Sequence, residues 1–187
     1  TARLAMETFE VIKNEPWCLA VSDRIAWARK LWPTTQYHQM LGGSGGQGVG
    51  YGLPASVGAA LANKSLGRMT VTFQPDGDLL YAPGALWTAA HHKIPLLMVM
   101  HNNGGYYQEV MHLQRMASLH NRRTDQAWIG NSLRNPDIDF AKIAQGMGVW
   151  AEGPIKDPSQ LKGALQRALA EVKQGRPALL DVVCQAR

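Results

Sequence analysis

The sequence predicts an α/β fold, namely a three-layer, doubly wound and mostly parallel sheet with helices on both faces. Helical periodicity alternates with short apolar runs along almost the whole chain, which is typical of strands joined by right-handed helical crossovers. The run 94–100 is apolar throughout, as expected for a strand covered on both faces. A chain of 187 residues can form one domain with a substantial core, so residues 1–187 are predicted to be a single domain.

Helices are predicted where apolar residues recur at helical spacing, and Pro54 suits a helix start because its missing N–H needs no partner there. In chain order, the predicted helices cover residues 2–13, 24–32, 54–64, 83–93, 139–148 and 159–174. The strands predicted from compact apolar runs cover residues 17–22, 69–74, 94–102, 149–154 and 177–183. The polar stretch 118–135 matches neither pattern, and we expect a surface loop or a mobile lid there.

Composition and charge exclude several classes of protein. The net charge of +5 is dispersed, and no cluster of Lys and Arg alternates with aromatic residues, so no nucleic-acid partner is expected. No apolar run is long enough to span a membrane. Cys18 and Cys184 lie in apolar, strand-like runs, which favours reduced thiols and a cytoplasmic protein. Because the chain opens on Thr1 and not on Met, we expect a processed subunit or the C-terminal piece of a longer polypeptide.

The glycine-rich segment 42–54 contains the G-x-G-x-x-G spacing of a dinucleotide-binding fingerprint. Such a site also requires a buried strand before the glycines and an acidic residue about 20 positions later. The preceding "TTQYHQML" is too polar for a central strand, and no Asp or Glu occurs between Asp23 and Asp76. A nicotinamide or flavin site is therefore disfavoured. The glycines instead allow close approach of the main chain to a flat ligand, and the Val49 side chain would protrude towards that ligand.

A carboxylate and an amide follow two strands that the alternating pattern makes neighbours. Asp76 comes just after the strand 69–74, and Asn103 follows the next strand, 27 positions later. Because parallel strands end at one edge of a sheet, the two side chains should lie close together. Carboxylate, amide and carbonyl oxygens suit Mg²⁺, whose other positions are filled by water and phosphate oxygens. The helix expected after Asp78 would point its N-terminal amides at the same phosphates.

These motifs together resemble the diphosphate-binding domain of thiamine diphosphate-dependent enzymes. The signature of that family is Gly-Asp-Gly, followed after one helix and one strand by Asn-Asn. The chain is most similar to the C-terminal domain of the acetolactate synthase, pyruvate oxidase and benzoylformate decarboxylase group. Within it, "GVGYGLPASVGAALA" resembles that group's "MGFGLPAAIGA" segment.

The resemblance implies a set of ligands for thiamine diphosphate and Mg²⁺. Asp76, the Asn103 side chain and the Gly105 backbone oxygen would bind Mg²⁺. The predicted contacts of the cofactor are Gly77, Asp78, Gly105 and Tyr106 with the diphosphate, Arg24 beside Asp23 in a further diphosphate turn, the Gln47 carbonyl with the aminopyrimidine, and Val49 as the wedge that bends the cofactor.

Three positions depart from the family pattern. Pro75 replaces the first Gly of the signature, Asp78 replaces the usual Ser or Ala, and Val49 is smaller than the usual Met, Leu or Ile. The Asp78 carboxylate would bring a negative charge near the diphosphate. We therefore expect it to turn outward or to be compensated by Arg24.

The activity implied by the resemblance is that of a 2-keto acid decarboxylase or carboligase, with acetolactate synthase-like activity as the first choice. The alternatives are a benzoylformate decarboxylase-like or 2-hydroxyacyl-CoA lyase-like enzyme and, outside enzymes, an inactive regulatory subunit that retains the fold. The activating glutamate is implied to lie on a separate pyrimidine-binding domain of the same or a sister chain, within a homodimer or homotetramer, and no catalytic residue is assigned here. We expect the segment 106–112 to contact a small 2-keto acid or to pack as an ordinary helix.

Overall fold

Five parallel strands form the centre of the computed structural model, which describes residues 1–21, 26–46 and 48–185. They are β1 (Trp17–Ala20), β2 (Met69–Pro75), β3 (Leu96–Asn102), β4 (Trp150–Ile155) and β5 (Ala178–Val183). Their order across the sheet is β1-β2-β3-β5-β4, and each neighbouring pair is parallel. The predicted α/β class and the parallel sheet are confirmed.

Helices connect the strands and cover the sheet. They are α1 (Ala2–Ile12), α2 (Ala26–Leu31), α3 (Gly52–Lys64), α4 (Asp76–Tyr81), α5 (Gly84–His91), α6 (Tyr107–Leu119), α7 (Phe140–Gly146) and α8 (Leu161–Lys173), with a 3₁₀ turn at Pro158–Gln160 before α8. No helix in the described part of the chain combines the length and the apolar character that crossing a membrane requires.

Two apolar clusters, one on each face of the sheet, make up the core. Along β3, the side chains of Leu97 and Val99 join the cluster under α1 and α8. The alternating residues Leu96, Met98 and Met100 join the cluster under α3, α5 and α7. This alternation is the two-residue period of a strand, and burial of both sets explains why the run is apolar throughout.

Structure and sequence-based expectation differ most after β3. For residues 106–112 the sequence leaves an ordinary helix as one of two expectations, and α6 begins there and continues to Leu119, although Val110 is its one buried residue. The helix α4 begins at Asp76 itself, and not after Asp78. Residues 120–139 form turns and contain an isolated bridge at Ser132, so this segment is irregular, as expected.

The strand register sets the position of the candidate site. Pro75, the last residue of β2, is opposite His101 in β3. Asp76 and the residues after His101 therefore emerge at the same edge of the sheet, at the C-terminal ends of both strands. This confirms the juxtaposition that the sequence predicts.

Candidate functional site

The Asp76 carboxylate lies at the edge of the sheet, surrounded by main-chain amides. It is 2% exposed. Its Oδ1 accepts a hydrogen bond from the Gly77 amide at 2.9 Å, and its Oδ2 accepts hydrogen bonds from the amides of Gly104 at 2.7 Å and Gly105 at 3.2 Å. Burial raises the pKa of the Asp76 carboxyl, while the bonded amides act in the opposite direction. The carboxylate thus holds the turn after β3 against the start of α4.

Residues 103–105, which we call the asparagine turn, are fixed from several sides. Gly104 has φ +74°, a conformation that glycine adopts readily. The Asn103 Oδ1 accepts a hydrogen bond from the Gly105 amide at 3.2 Å, and the Gly105 carbonyl accepts one from the Tyr107 amide at 3.0 Å. Each of these oxygens has a second lone pair, so both retain capacity to bind a cation.

A cavity of about 280 Å³ opens over this edge, and it is lined by Asp76, Gly77, Asn103, Gly105 and Tyr106 among others. Asp78 and Glu109 also line it, whereas no Lys or Arg of the described residues does so. In the part of the chain that the structure describes, no three His, Cys, Asp or Glu side chains cluster as a metal centre. A cation here would therefore depend on the mixed carboxylate and amide set, as a sparse Mg²⁺ site does.

The glycine loop, residues 42–50, approaches the same cavity. Val49 lines the cavity with its side chain 42% exposed, which is the position expected of a protruding wedge. The predicted aminopyrimidine acceptor Gln47 and the predicted diphosphate ligand Arg24 lie outside the described residues. The structure therefore brings Val49 to the edge of the sheet at Asp76 and Asn103, which we name the cation edge after the cation expected there, and it does not test the other two predictions.

Gly77 and Tyr106 form one wall of the cavity. A Cβ atom on Gly77 would collide with the Tyr106 ring, so a glycine is required for the two to pack. The Tyr106 hydroxyl donates to the Gly77 carbonyl at 3.4 Å, and burial raises the pKa of this phenol. The Tyr106 amide, a predicted diphosphate contact, donates to the Asn131 carbonyl at 2.8 Å.

Asp78 lies beside the cavity, but its carboxylate is turned towards the protein. The side chain is buried. Its Oδ1 accepts a hydrogen bond from the Gly50 amide, and its Oδ2 accepts one from Gln74 Nε2, both at 2.8 Å. The charge expected near the diphosphate is thus held by two protein donors.

The segment 131–134 crosses the asparagine turn, and sequence patterns do not reveal this contact. The Leu133 amide donates to the Gly104 carbonyl at 3.0 Å, and the Arg134 guanidinium donates to the Asn103 carbonyl at 3.2 Å. The tandem glycines were the available signal, because small residues permit close approach of a second segment. The end of the predicted loop or lid is therefore attached to the site.

Asp181 is a second residue that sequence reasoning missed. From β5, its Oδ1 accepts a hydrogen bond from Asn102 Nδ2 at 2.9 Å, and Asn102 Oδ1 accepts one from the Gly104 amide at 3.2 Å. Burial raises the pKa of Asp181 to about 6. An acidic residue inside the apolar run "PALLDVV" was the signal available, because carboxylates are rarely buried without a partner.

A further cavity of about 490 Å³ lies along α6 and is lined by Gln108, Glu109, His112, Leu113 and Asn131. Gln108 and Glu109 also line the cavity over the cation edge. The segment 106–112, predicted either to contact substrate or to pack as a helix, therefore starts a helix and also borders both cavities.

Comparison with known proteins agrees with this geometry. Residues 22–182 match the family model described as thiamine pyrophosphate enzyme, C-terminal TPP binding domain. A Mycobacterium tuberculosis protein that carries the name of an acetolactate synthase large subunit, IlvX, is 35% identical over 138 residues, which cover 74% of this chain and 25% of that protein. The benzoylformate decarboxylase of Pseudomonas aeruginosa is 34% identical over 146 residues, which cover 74% of this chain and 23% of the enzyme.

A solved structure shares the fold over almost the whole chain. The thiamine diphosphate-dependent 4-hydroxybenzoylformate decarboxylase of Rhodococcus jostii RHA1 is 27% identical with a TM-score of 0.70, covering 98% of this chain and 32% of that one. The chain thus spans about a quarter to a third of the length of these relatives. The match of the family model over most of the chain, at the residues that build the cation edge, shows that this chain belongs to the thiamine pyrophosphate enzyme family and corresponds to its C-terminal TPP-binding domain.

Proposed function

We propose that the chain binds thiamine diphosphate through Mg²⁺, as the diphosphate-binding half of an acetolactate synthase-like 2-keto acid decarboxylase or carboligase. One observation carries the metal part of this proposal. Asp76 and Asn103 line a cavity that Glu109 also lines, and no Lys or Arg of the described residues lines it. A diphosphate would be repelled by such a cavity unless a divalent cation lay between the two sets of negative charges.

In this proposal, Asp76 and Asn103 supply a charged and a neutral oxygen to the cation, and the Gly105 carbonyl supplies a third. The three amides bonded to Asp76 fix the orientation of its carboxylate before the cation arrives, which reduces the cost of ordering on binding. When bound, thiamine diphosphate supplies the electron sink for cleaving or forming a bond next to a carbonyl carbon. The chain itself supplies binding and orientation.

The glycine loop has the complementary role of orienting the organic part of the cofactor. Val49 is the proposed wedge and the Gln47 carbonyl the proposed acceptor for the aminopyrimidine. Diphosphate contacts are proposed for Gly77, Gly105, Tyr106 and Arg24. The partly exposed Val49 side chain supports the wedge, since a residue that bends a ligand has to reach out of the fold.

The complete active site is proposed to include a pyrimidine-binding domain, from the same or a sister chain, within a homodimer or homotetramer. The chain covers 25% of its M. tuberculosis relative, which supports the presence of further domains in the functional enzyme. The proposed substrate is a small 2-keto acid.

A second candidate is decarboxylation of an aromatic 2-keto acid, as the names of two relatives state for those proteins. The observation in its favour is the presence of Tyr106, Tyr107 and Met111 in the cavity lining, because aromatic and thioether side chains pack well on a flat ring. An inactive subunit that retains the fold remains the non-enzyme alternative.

Titration of the full-length protein tests the proposed function. Thiamine diphosphate should quench tryptophan fluorescence with Mg²⁺ present and fail to do so with EDTA, whereas NADH should bind in neither case. Activity on pyruvate compared with benzoylformate then decides between the two enzymes. Cofactor binding without activity on either acid supports the inactive subunit, and metal-independent NADH binding contradicts the proposal.

A further inference from the structure

The Asp78 side chain connects the cation edge to the glycine loop. Its carboxylate is 4% exposed, and each oxygen accepts a hydrogen bond from a different segment, Oδ1 from the Gly50 amide and Oδ2 from Gln74 Nε2. Asp78 therefore ties the glycine loop to β2 through a buried, charge-assisted contact, which is stronger than one between neutral groups.

The backbone at this contact leaves little freedom for the loop. Gly50 has φ +88°, and a Cβ there would lie 2.7 Å from the Tyr81 Cβ. A Cβ on Gly52 would collide with the Asp78 Oδ2. The end of the loop and the start of α3 thus approach α4 so closely that glycines are required at both positions, and the Asp78 carboxylate occupies the space at Gly52.

Asp78 is also the last member of a row of buried polar side chains between α3 and β2. Asn63 Nδ2 donates to Thr70 Oγ1 at 3.0 Å, and Ser56 Oγ donates to Thr72 Oγ1 at 2.8 Å. Gln74 follows at the same two-residue spacing and donates to Asp78. Because buried polar groups have to meet specific partners, this row fixes the position of α3 along β2. Through its bond to the Gly50 amide, Asp78 also fixes the loop before α3 relative to β2.

We propose that Asp78 is a positioning residue, whose carboxylate holds the glycine loop, and with it Val49, at a set distance from the cation edge. The inference rests on the proposed function for its consequence, which is cofactor affinity, but its structural part is independent of that function. The sequence predicts an Asp78 carboxylate that turns outward or is compensated by Arg24, whereas the structure buries it against Gly50 and Gln74.

Two substitutions distinguish a role of Asp78 in holding the loop from an effect of its negative charge. Asp78→Ala removes both acceptors. Asp78→Asn removes the charge but keeps an oxygen for the Gly50 amide. Its new amide replaces the oxygen that accepts from Gln74 Nε2, so the Gln74 amide has to rotate by about 180° and present Oε1, which has no hydrogen-bond partner among the described residues. Thr72→Val is the matched control, because it removes the Ser56 to Thr72 bond from the same row, away from the loop.

Hydrogen exchange of residues 42–51 in the full-length protein without cofactor tests the structural part. Asp78→Ala should accelerate exchange at Gly50 by about 10-fold or more, as expected for loss of one buried hydrogen bond, whereas Asp78→Asn and Thr72→Val should resemble the wild type. Unchanged exchange in Asp78→Ala, or equal acceleration in Thr72→Val, would overturn the proposal. If Asp78→Ala fails to fold, Asp78→Ser, whose shorter side chain cannot bridge both donors, takes its place under the same criteria.

The Kd for thiamine diphosphate with Mg²⁺ tests the consequence. Asp78→Ala should raise it by about 10-fold, the equivalent of one lost hydrogen bond, while Asp78→Asn should leave it near the wild-type value. If both variants bind the cofactor more tightly, Asp78 acts through its charge and the positioning role is wrong. If the wild type binds no thiamine diphosphate, the proposed function fails, and the exchange experiment still decides the structural part.

Discussion

The asparagine turn and the glycine loop are both rich in glycine, but for different physical reasons. A Cβ on Gly104 would lie 2.6 Å from Arg134 Nε, and a Cβ on Gly105 would lie 2.6 Å from the Asn131 carbonyl. By contrast, a Cβ on Gly45 or Gly46 would meet no atom within 4 Å in the part of the chain that the structure describes. The turn therefore needs Gly105 for packing against a backbone carbonyl and Gly104 for its φ of +74°, whereas the described middle of the loop meets no such packing constraint.

This difference separates a site that the chain builds alone from one that it builds only in part. The asparagine turn is held by Asp76 and by the segment 131–134, so its geometry is complete without a ligand. The glycine loop is fixed at Gly50, and a Cβ at Gly45 would meet no atom of the described residues within 4 Å. The cation edge is thus preorganised by this chain, while the surroundings of Val49 depend on other components.

The largest expected effect comes from breaking the preorganised region at its charged centre. Asp76→Asn should weaken Mg²⁺-dependent binding of thiamine diphosphate by at least about 100-fold, since even the indirect partners of metal ligands contribute about 10–100-fold to metal affinity. Fluorescence titration with and without EDTA measures the affinity for thiamine diphosphate and its dependence on Mg²⁺. Asp125→Asn is the control, because Asp125 is exposed and pairs with Arg123. Equal affinities of the two variants would remove Asp76 from the site.

The second effect tests the contrast between the two sets of glycines directly. Gly105→Ala should lower the free energy of unfolding by about 1–3 kcal/mol, because the new methyl group would overpack against the Asn131 carbonyl. Gly45→Ala should change it by less than about 0.5 kcal/mol, as surface substitutions usually do. Thermal unfolding without cofactor measures both. Similar losses for the two variants would mean that the loop is packed as tightly as the turn.

A smaller effect is expected from the wedge. Val49→Ala should lower kcat by roughly 10-fold while changing the Kd for thiamine diphosphate little, because misorientation of a bound reactant affects turnover more than binding. Val49→Leu, which restores a bulkier side chain, should keep kcat at or above the wild-type value. Steady-state kinetics together with cofactor titration separates the two quantities. A parallel loss of affinity and kcat would argue for a general binding role of Val49.

The smallest expected effect is on the pH dependence of stability, and it comes from Asp181, the buried acid that is hydrogen-bonded to Asn102. The pKa of Asp181 is raised from 3.8 to about 6 in the folded protein, so between these pH values the folded state retains a proton that the unfolded state loses. Stability from this group therefore falls as the pH rises through that window. In Asp181→Asn this contribution is absent. The difference in the free energy of unfolding between the wild type and the variant should therefore change by on the order of 1 kcal/mol from pH 4 to 6. Urea unfolding at several pH values measures it, and a constant difference would contradict the assignment.

The fold and the centre of the candidate site could be predicted because both depend on local patterns. Two-residue and helical periodicities gave the strands and most helices, and parallel strands force Asp76 and Asn103 to one edge. The partners of the turn could not be predicted in this way. Asn131 and Arg134 contact the asparagine turn from an irregular segment, and Asp181 is linked to it from β5 through Asn102. These contacts therefore depend on tertiary packing.

The helix α6 and the orientation of Asp78 show the same limit. The helix α6 buries only Val110, so its apolar residues do not identify a face that packs on the rest of the chain. The sequence indicates that Asp78 departs from the family signature, but the direction of its side chain depends on where the Gly50 amide and Gln74 lie in space. A single sequence can mark a residue that needs a long-range partner, but it does not identify that partner.

The most direct test of the cation site is a crystal structure of the full-length protein grown with thiamine diphosphate and Mn²⁺ in place of Mg²⁺, with anomalous scattering to locate the metal. We predict a single strong peak within about 2.5 Å of an Asp76 oxygen and of Asn103 Oδ1, with the diphosphate on its other side. A cofactor bound with no metal between these two side chains, or a metal peak elsewhere, would contradict the account.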